Sequence, residues 1–169
     1  MLNSNVSKLL NEQINKEMYS AYLYLDMANY YINKGMNGFA NWFNVQAKEE
    51  MDHAFLFTKY LQNNGFAVSL AAIAKPDKVY SSLREPLVES LKHEEFVTAS
   101  IHTIFTEALK IGDYRTMEFL NWFVKEQGEE EKNATDLIVS FDLHGTPGLF
   151  ALDGQLHARQ YHAPSLELD

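Results

Sequence analysis

The 169-residue chain has no cysteine. This excludes a disulfide scaffold, thiolate-bound metal and iron–sulfur clusters, and it fits a reducing compartment. Proline is scarce, at four residues: Pro76, Pro86, Pro147 and Pro164. The long stretches between them are free of helix breakers of that kind. No run approaches the eighteen or so apolar residues that a membrane span needs, and the N-terminus has no basic-then-apolar leader. The expectation is a cytoplasmic chain that does not enter a membrane. Positive charge is also in deficit. Fourteen Lys and Arg face 23 Asp and Glu, a net charge of -9. Such a surface repels nucleic acid and attracts cations.

What is present is a core-forming composition, 46% apolar, in a chain long enough for one domain spanning residues 1–169. Helical periodicity with glycine stops predicts helices at about 5–34, 38–64, 83–111 and 114–144, and a short fifth at about 147–157. Ser82-Leu83-Arg84-Glu85 reads as a capping box for the third helix, with Pro86 in its first turn. Thr146-Pro147 reads as a cap followed by proline at the start of the fifth. The tail beyond Tyr161 reads as loose. Short links make each helix pair an antiparallel hairpin. Residues 66–81 lack a strong helical pattern but are long enough, at about 3.3 Å each, to run the length of the bundle. The prediction is all-α: a four-helix bundle with one long crossover and parallel second and third helices.

Each apolar stripe is broken near its helix centre by ligand-type residues. The first stripe carries Glu17, the second Gln46, Glu50 and His53, the third Glu94, and the fourth Gln127 and Glu130. Helix centres meet at mid-height whichever way the helices point, so these interruptions should converge. The spacings repeat. Glu17 to Glu50 and Glu94 to Gln127 are both 33 residues, Glu50 to His53 and Gln127 to Glu130 are both three, and the halves are offset by 77. Four buried carboxylates repel one another and each pays a desolvation cost of several kcal/mol, so either protons or cations must sit among them. Two divalent ions would balance Glu17, Glu50, Glu94 and Glu130. Oxygen ligands with one imidazole suit iron, manganese or zinc, and redox iron is the best match for a thiolate-free site. Helical di-iron proteins commonly carry a Glu-x-x-His on each of two helices. Here the first is Glu50-Met51-Asp52-His53, and its counterpart is Gln127-Gly128-Glu129-Glu130.

With these residues in place the chain resembles the bacterial non-haem ferritins over essentially its full length. Lys48-Glu49-Glu50-Met51-Asp52-His53-Ala54 resembles that family's second-helix motif, and the stretch from Trp122 to Glu131 its fourth-helix motif. The resemblance implies an iron-storage protein with ferroxidase activity. Glu17, Glu50 and His53 would hold one iron, with Glu50 bridging to a second held by Glu94 and Glu130. Gln127 would sit beside the pair and Tyr24 would be a candidate electron donor. Glu49, Glu126 and Glu129 would form a third iron site sharing Glu130. Iron(II) would be oxidised by dioxygen or peroxide and stored as iron(III) mineral in a homo-oligomeric shell of twenty-four subunits, with the fifth helix at the four-fold axis. No haem is implied: a bacterioferritin would need a second Glu-x-x-His, which Gln127 and Glu130 replace. A metal-free helical interaction module is the alternative from another class. Gly128 stands inside a helix, where a kink or a close helix approach would account for it.

Overall fold

The computed structural model describes residues 3–168. Its elements are α1 (Ser4–Asn33), α2 (Asn37–Asn63), α3 (Glu85–Lys110) and α4 (Tyr114–Leu156). The predicted boundaries hold to within two residues for the first three. The fourth and fifth predicted helices are both present as the two parts of α4, which kinks at Gly145, where φ 55 and ψ 178 leave the helical region. Only a residue without a Cβ takes this conformation easily. The chain turns there and resumes as helix through Pro147 to Leu156.

Capping is local at two starts. Asn3 accepts from the Asn5 N–H, and Asp113 accepts from the Thr116 N–H at 3.1 Å and its hydroxyl at 2.7 Å. The expected box at Ser82–Glu85 does not form. Glu85 is itself the first helical residue rather than the third, so its carboxylate reaches one position further back. It accepts from the Ser81 N–H at 2.6 Å and from the Ser81 hydroxyl at 2.9 Å.

Helix direction follows from side-chain pairings. Along α1 and α3, Gln13 meets Ser100 and Ser20 meets His93, and Tyr31 donates to the Leu83 carbonyl just before α3 begins. Rising numbers on α1 match falling numbers on α3, so the two are antiparallel. The three-residue link after α1 makes α2 antiparallel to α1 as well, and α2 and α3 are therefore parallel. The crossover makes this possible by running alongside α1. Ser69 bonds to Asn11, Ala72 accepts from Asn15, and Tyr80 packs edge-on against Tyr30. On the other side, α4 runs antiparallel to α2, from Tyr60–Thr116 through Phe57–Phe123 to Phe39–Phe141.

The apolar interior falls into two clusters. One, around Tyr24, Tyr31, Phe39 and Phe43, fills the end where α1 stops. The other, around Leu10, Phe57, Phe119 and Phe123, fills the opposite end. Between them lies a buried polar layer.

The tail is not loose. Tyr161 donates to Asp52, the Trp122 ring N–H donates to Ser165 at 3.0 Å, and Leu166 and Leu168 pack on the second cluster. These contacts lie more than forty residues away along the chain, beyond the reach of local periodicity.

Candidate metal centre

The polar layer contains Glu17, Glu50, His53, Glu94, Gln127 and Glu130, all at most 4% exposed, with Tyr24 at 1%. The 3.6-residue repeat puts each of them on its helix's inward stripe. The convergence expected from the spacings is therefore realised.

Within the layer the groups differ in what they bond. Ligand atoms of Glu17, Glu50 and His53 lie within 4.8 Å of one another, the only such trio of His, Asp or Glu among the described residues. Glu50 Oε2 stands 3.6 Å from His53 Nδ1, too far for a hydrogen bond. Among the described residues five buried side-chain polar atoms have no hydrogen-bond partner. Four belong to this trio: Glu17 Oε2, both Glu50 oxygens and His53 Nδ1. Buried polar atoms are normally satisfied, and leaving one bare costs about 1–3 kcal/mol. Four in one place form a donor set that could hold a cation.

Glu94 and Glu130 line the other half and are held by neutral donors. Tyr24 donates its hydroxyl to Glu94 Oε1, and Gln127 Nε2 donates to Glu94 Oε2 at 3.2 Å. Gln46 Nε2 donates to Glu130 Oε2 at 2.8 Å. On the first half Gln13 Nε2 donates to Glu17 Oε1 at 2.8 Å, leaving only Oε2 bare. A small cavity lined by Tyr24, Gln46, Glu94 and Glu130 opens beside the second half.

Electrostatics agree with this geometry. Burial, with the neighbouring Glu94, Glu17 and Glu130 charges, holds the Glu50 carboxyl well above its usual range. Burial and the Glu130 charge push Glu94 up to about 8, against the opposing bonds from Tyr24 and Gln127. Burial and the Glu94 charge raise the Tyr24 phenol. Without cations the layer keeps protons, and divalent ions would displace them.

The three outer carboxylates are not gathered into a comparable trio. Glu129 is exposed, while Glu49 and Glu126 are half-buried. Glu49 already has a cation: Arg159 Nη2 donates to its Oε2 at 2.8 Å. Burial raises Glu49 to about 7 even so, with the Arg159 charge pulling it down and Glu130 and Glu126 pushing it up.

Sequence reasoning did not assign functions to Gln13, Gln46 or Arg159. A signal existed for the glutamines. Gln46 interrupts the α2 stripe, and Gln13 precedes Glu17 by one turn on α1, a spacing at which side chains meet. Nothing local marks Arg159.

Residues 7–143 match the family model described as ferritin-like domain. The chain belongs to the ferritin family. Its relatives include a bacterial non-heme ferritin of Campylobacter jejuni, 39% identical over 90% of this chain and 93% of the relative. One from Staphylococcus aureus is 38% identical over 78% of this chain and 79% of the relative. Among solved structures, an open-pore ferritin of Archaeoglobus fulgidus superposes with a TM-score of 0.92 at 38% identity, covering 94% of this chain and 98% of that one. The ferritin bundle, with its long crossover, is thus the fold of this chain.

Proposed function

We propose that this ferritin stores iron and carries a ferroxidase site in its buried carboxylate layer. The supporting observation is the set of four unpartnered buried atoms on Glu17, Glu50 and His53 in a chain that belongs to the ferritin family. Iron(II) is the substrate. One ion is bound by Glu17, Glu50 and His53, and a second by Glu94, Glu130 and the shared Glu50, with Gln127 beside them. Each ion gives up one electron. Two electrons and two protons convert dioxygen to peroxide, and two more of each convert peroxide to water. The carboxylates offset the rise in metal charge, and their displaced protons leave when iron(II) binds. Tyr24, fixed against Glu94, is placed to supply a further electron.

Iron(III) leaves as mineral for the interior of a homo-oligomeric shell of twenty-four subunits. Large apolar side chains on the crossover, Leu70 and Val79, and near the α4 break, Leu143 and Phe150, are exposed on the single chain and suit subunit contacts. Glu49, Glu126 and Glu129, with Glu130, would form a third iron position on the way out of the layer once Glu49 exchanges its Arg159 partner for the metal. The site requires no haem and no nucleic acid partner. No helix among the described residues is long and apolar enough to cross a membrane.

The test is iron(II) oxidation in air by the purified protein against a Glu50→Ala, Glu130→Ala double variant. The wild type should oxidise iron(II) well above the background rate and the double variant should not. Equal rates would sink the assignment.

A further inference from the structure

Arg159 lies beyond the end of α4, far in sequence from every carboxylate in the metal layer. Its guanidinium nevertheless reaches inward, with the side chain 18% exposed. The Cζ lies 4.0 Å from the centre of the Trp42 ring, and Nη1 donates to the Trp42 carbonyl at 3.3 Å. Nη2 is shared between Glu49 Oε2 and Gln46 Oε1. Gln46 in turn donates from Nε2 to Glu130 Oε2 at 2.8 Å.

This chain of contacts has only one chemically sound polarity. A guanidinium is a donor at every nitrogen and never an acceptor. Gln46 must therefore turn its carbonyl oxygen toward Arg159, which turns its NH2 toward Glu130. The reverse orientation would set an NH2 against the guanidinium and a carbonyl oxygen against a carboxylate. Arg159 and the Glu130 carboxylate thereby fix the buried amide from its two ends, with Arg159 anchoring the carbonyl. The fixed amide then occupies one Glu130 oxygen and leaves the other for coordination.

We propose that Arg159 is a positioning residue for the Glu94–Glu130 half of the metal centre, acting through the Gln46 amide on Glu130. The C-terminal segment is then part of the site's construction. Glu17, Glu50 and His53 do not depend on it, because Glu17 is held from the opposite side by Gln13. The inference rests on the two-metal reading above, and its test separates the two.

The experiment is an anaerobic titration of the assembled full-length protein with cobalt(II), read by its visible absorption bands and by calorimetry. Wild type should bind two tight equivalents per subunit in the layer; failure to do so would count against the two-metal reading itself. Arg159→Met keeps an unbranched apolar stem and removes the guanidinium with its donors. It should weaken one equivalent by about tenfold, the lower end of what outer-shell changes cost metal sites, and spare the other. Arg159→Lys, which restores a cationic donor, should recover most of that loss. Gln46→Leu should show the same selective loss, and the Arg159→Met, Gln46→Leu double variant should bind no more weakly than Gln46→Leu alone. Wild-type binding by Arg159→Met would overturn the inference while leaving the two-metal reading intact. So would additive losses in the double variant. If Arg159→Met fails to assemble, Gln46→Leu decides: two unchanged equivalents would overturn the relay, and a selective loss would support it.

Discussion

Glu94 is buried beside Glu130 and bonded by Tyr24 and Gln127, and burial with the Glu130 charge pushes its carboxyl up to about 8. In the unfolded chain the same carboxyl titrates at its ordinary value of 4.5. Between those values the folded state holds a proton that the unfolded state has lost. Folding stability therefore falls as pH rises through this window, the reverse of an ordinary salt-bridged carboxylate. Glu50 is shifted in the same direction by burial and by its acidic neighbours. Chelated protein should have a thermal midpoint that drops steadily from pH 5 to pH 8. Saturating zinc(II), which replaces those protons, should flatten the slope. Scanning calorimetry with and without metal measures this directly, and an unchanged midpoint in the chelated protein would argue against a protonated cluster. Gly128, one residue after Gln127, makes a separate case. Neither expected reason for it holds: no atom outside its own stretch of helix lies within 4 Å of where its Cβ would stand, and the kink in α4 falls at Gly145 instead. Gly128→Ala should stabilise the protein by about 0.5–1 kcal/mol through helix propensity alone, seen as a higher thermal midpoint. Nothing in the structure explains the glycine.

At the scale of elements, the α4 segment beyond Gly145 is tied to the start of α2. Met36 at the α2 N-cap offers no side-chain bond. Asp153 supplies it from 115 residues away, accepting from the Gly38 N–H at 2.8 Å and the Phe39 N–H at 3.0 Å. The carboxylate also sits favourably at the positive end of the helix dipole. The approach is so close that a Cβ on residue 38 would lie 1.6 Å from the Asp153 carbonyl oxygen. Gly38→Ala should therefore push the two elements apart and cost about 1–3 kcal/mol. Limited proteolysis should show cleavage in the C-terminal segment before the bundle itself, and wild-type resistance would contradict this. The same element shows where sequence reading ends. The helices, the glycine stops and the inward ligands were legible because periods of three and four residues carry them. The crossover's direction was legible because its length fixes its reach. Asp153 capping α2, Arg159 facing Gln46 and the seated tail are tertiary contacts, and no local period encodes them. The capping box failed for a smaller reason: a two-residue shift of the helix start puts Glu85 in a different role.

The whole molecule presents its apolar surface unevenly. Val79 is 90% exposed and Leu70 68%, both on the crossover that runs beside α1. Loops usually show polar side chains to water, and two large apolar groups on a segment pinned at Asn11, Asn15 and Tyr30 are not there to fill this chain's own core. In a homo-oligomer they would be covered by a second copy of the chain. A charge at each position should then oppose assembly while leaving the monomer's helices intact, because neither side chain supports the bundle from within. Leu70→Lys with Val79→Lys should shift the particle-size distribution from a large shell toward small oligomers, with an unchanged helical circular dichroism spectrum. Light scattering and sedimentation would measure the shift. Full-size shells from the double variant would mean that subunit contacts lie elsewhere, around Leu143 and Phe150 at the α4 break. Glu17, Glu50 and His53 come together within one chain, so small oligomers should still bind cobalt(II) there. Their oxidised iron would have no enclosed interior to enter, and iron(III) should then precipitate in bulk solution rather than stay soluble with the protein.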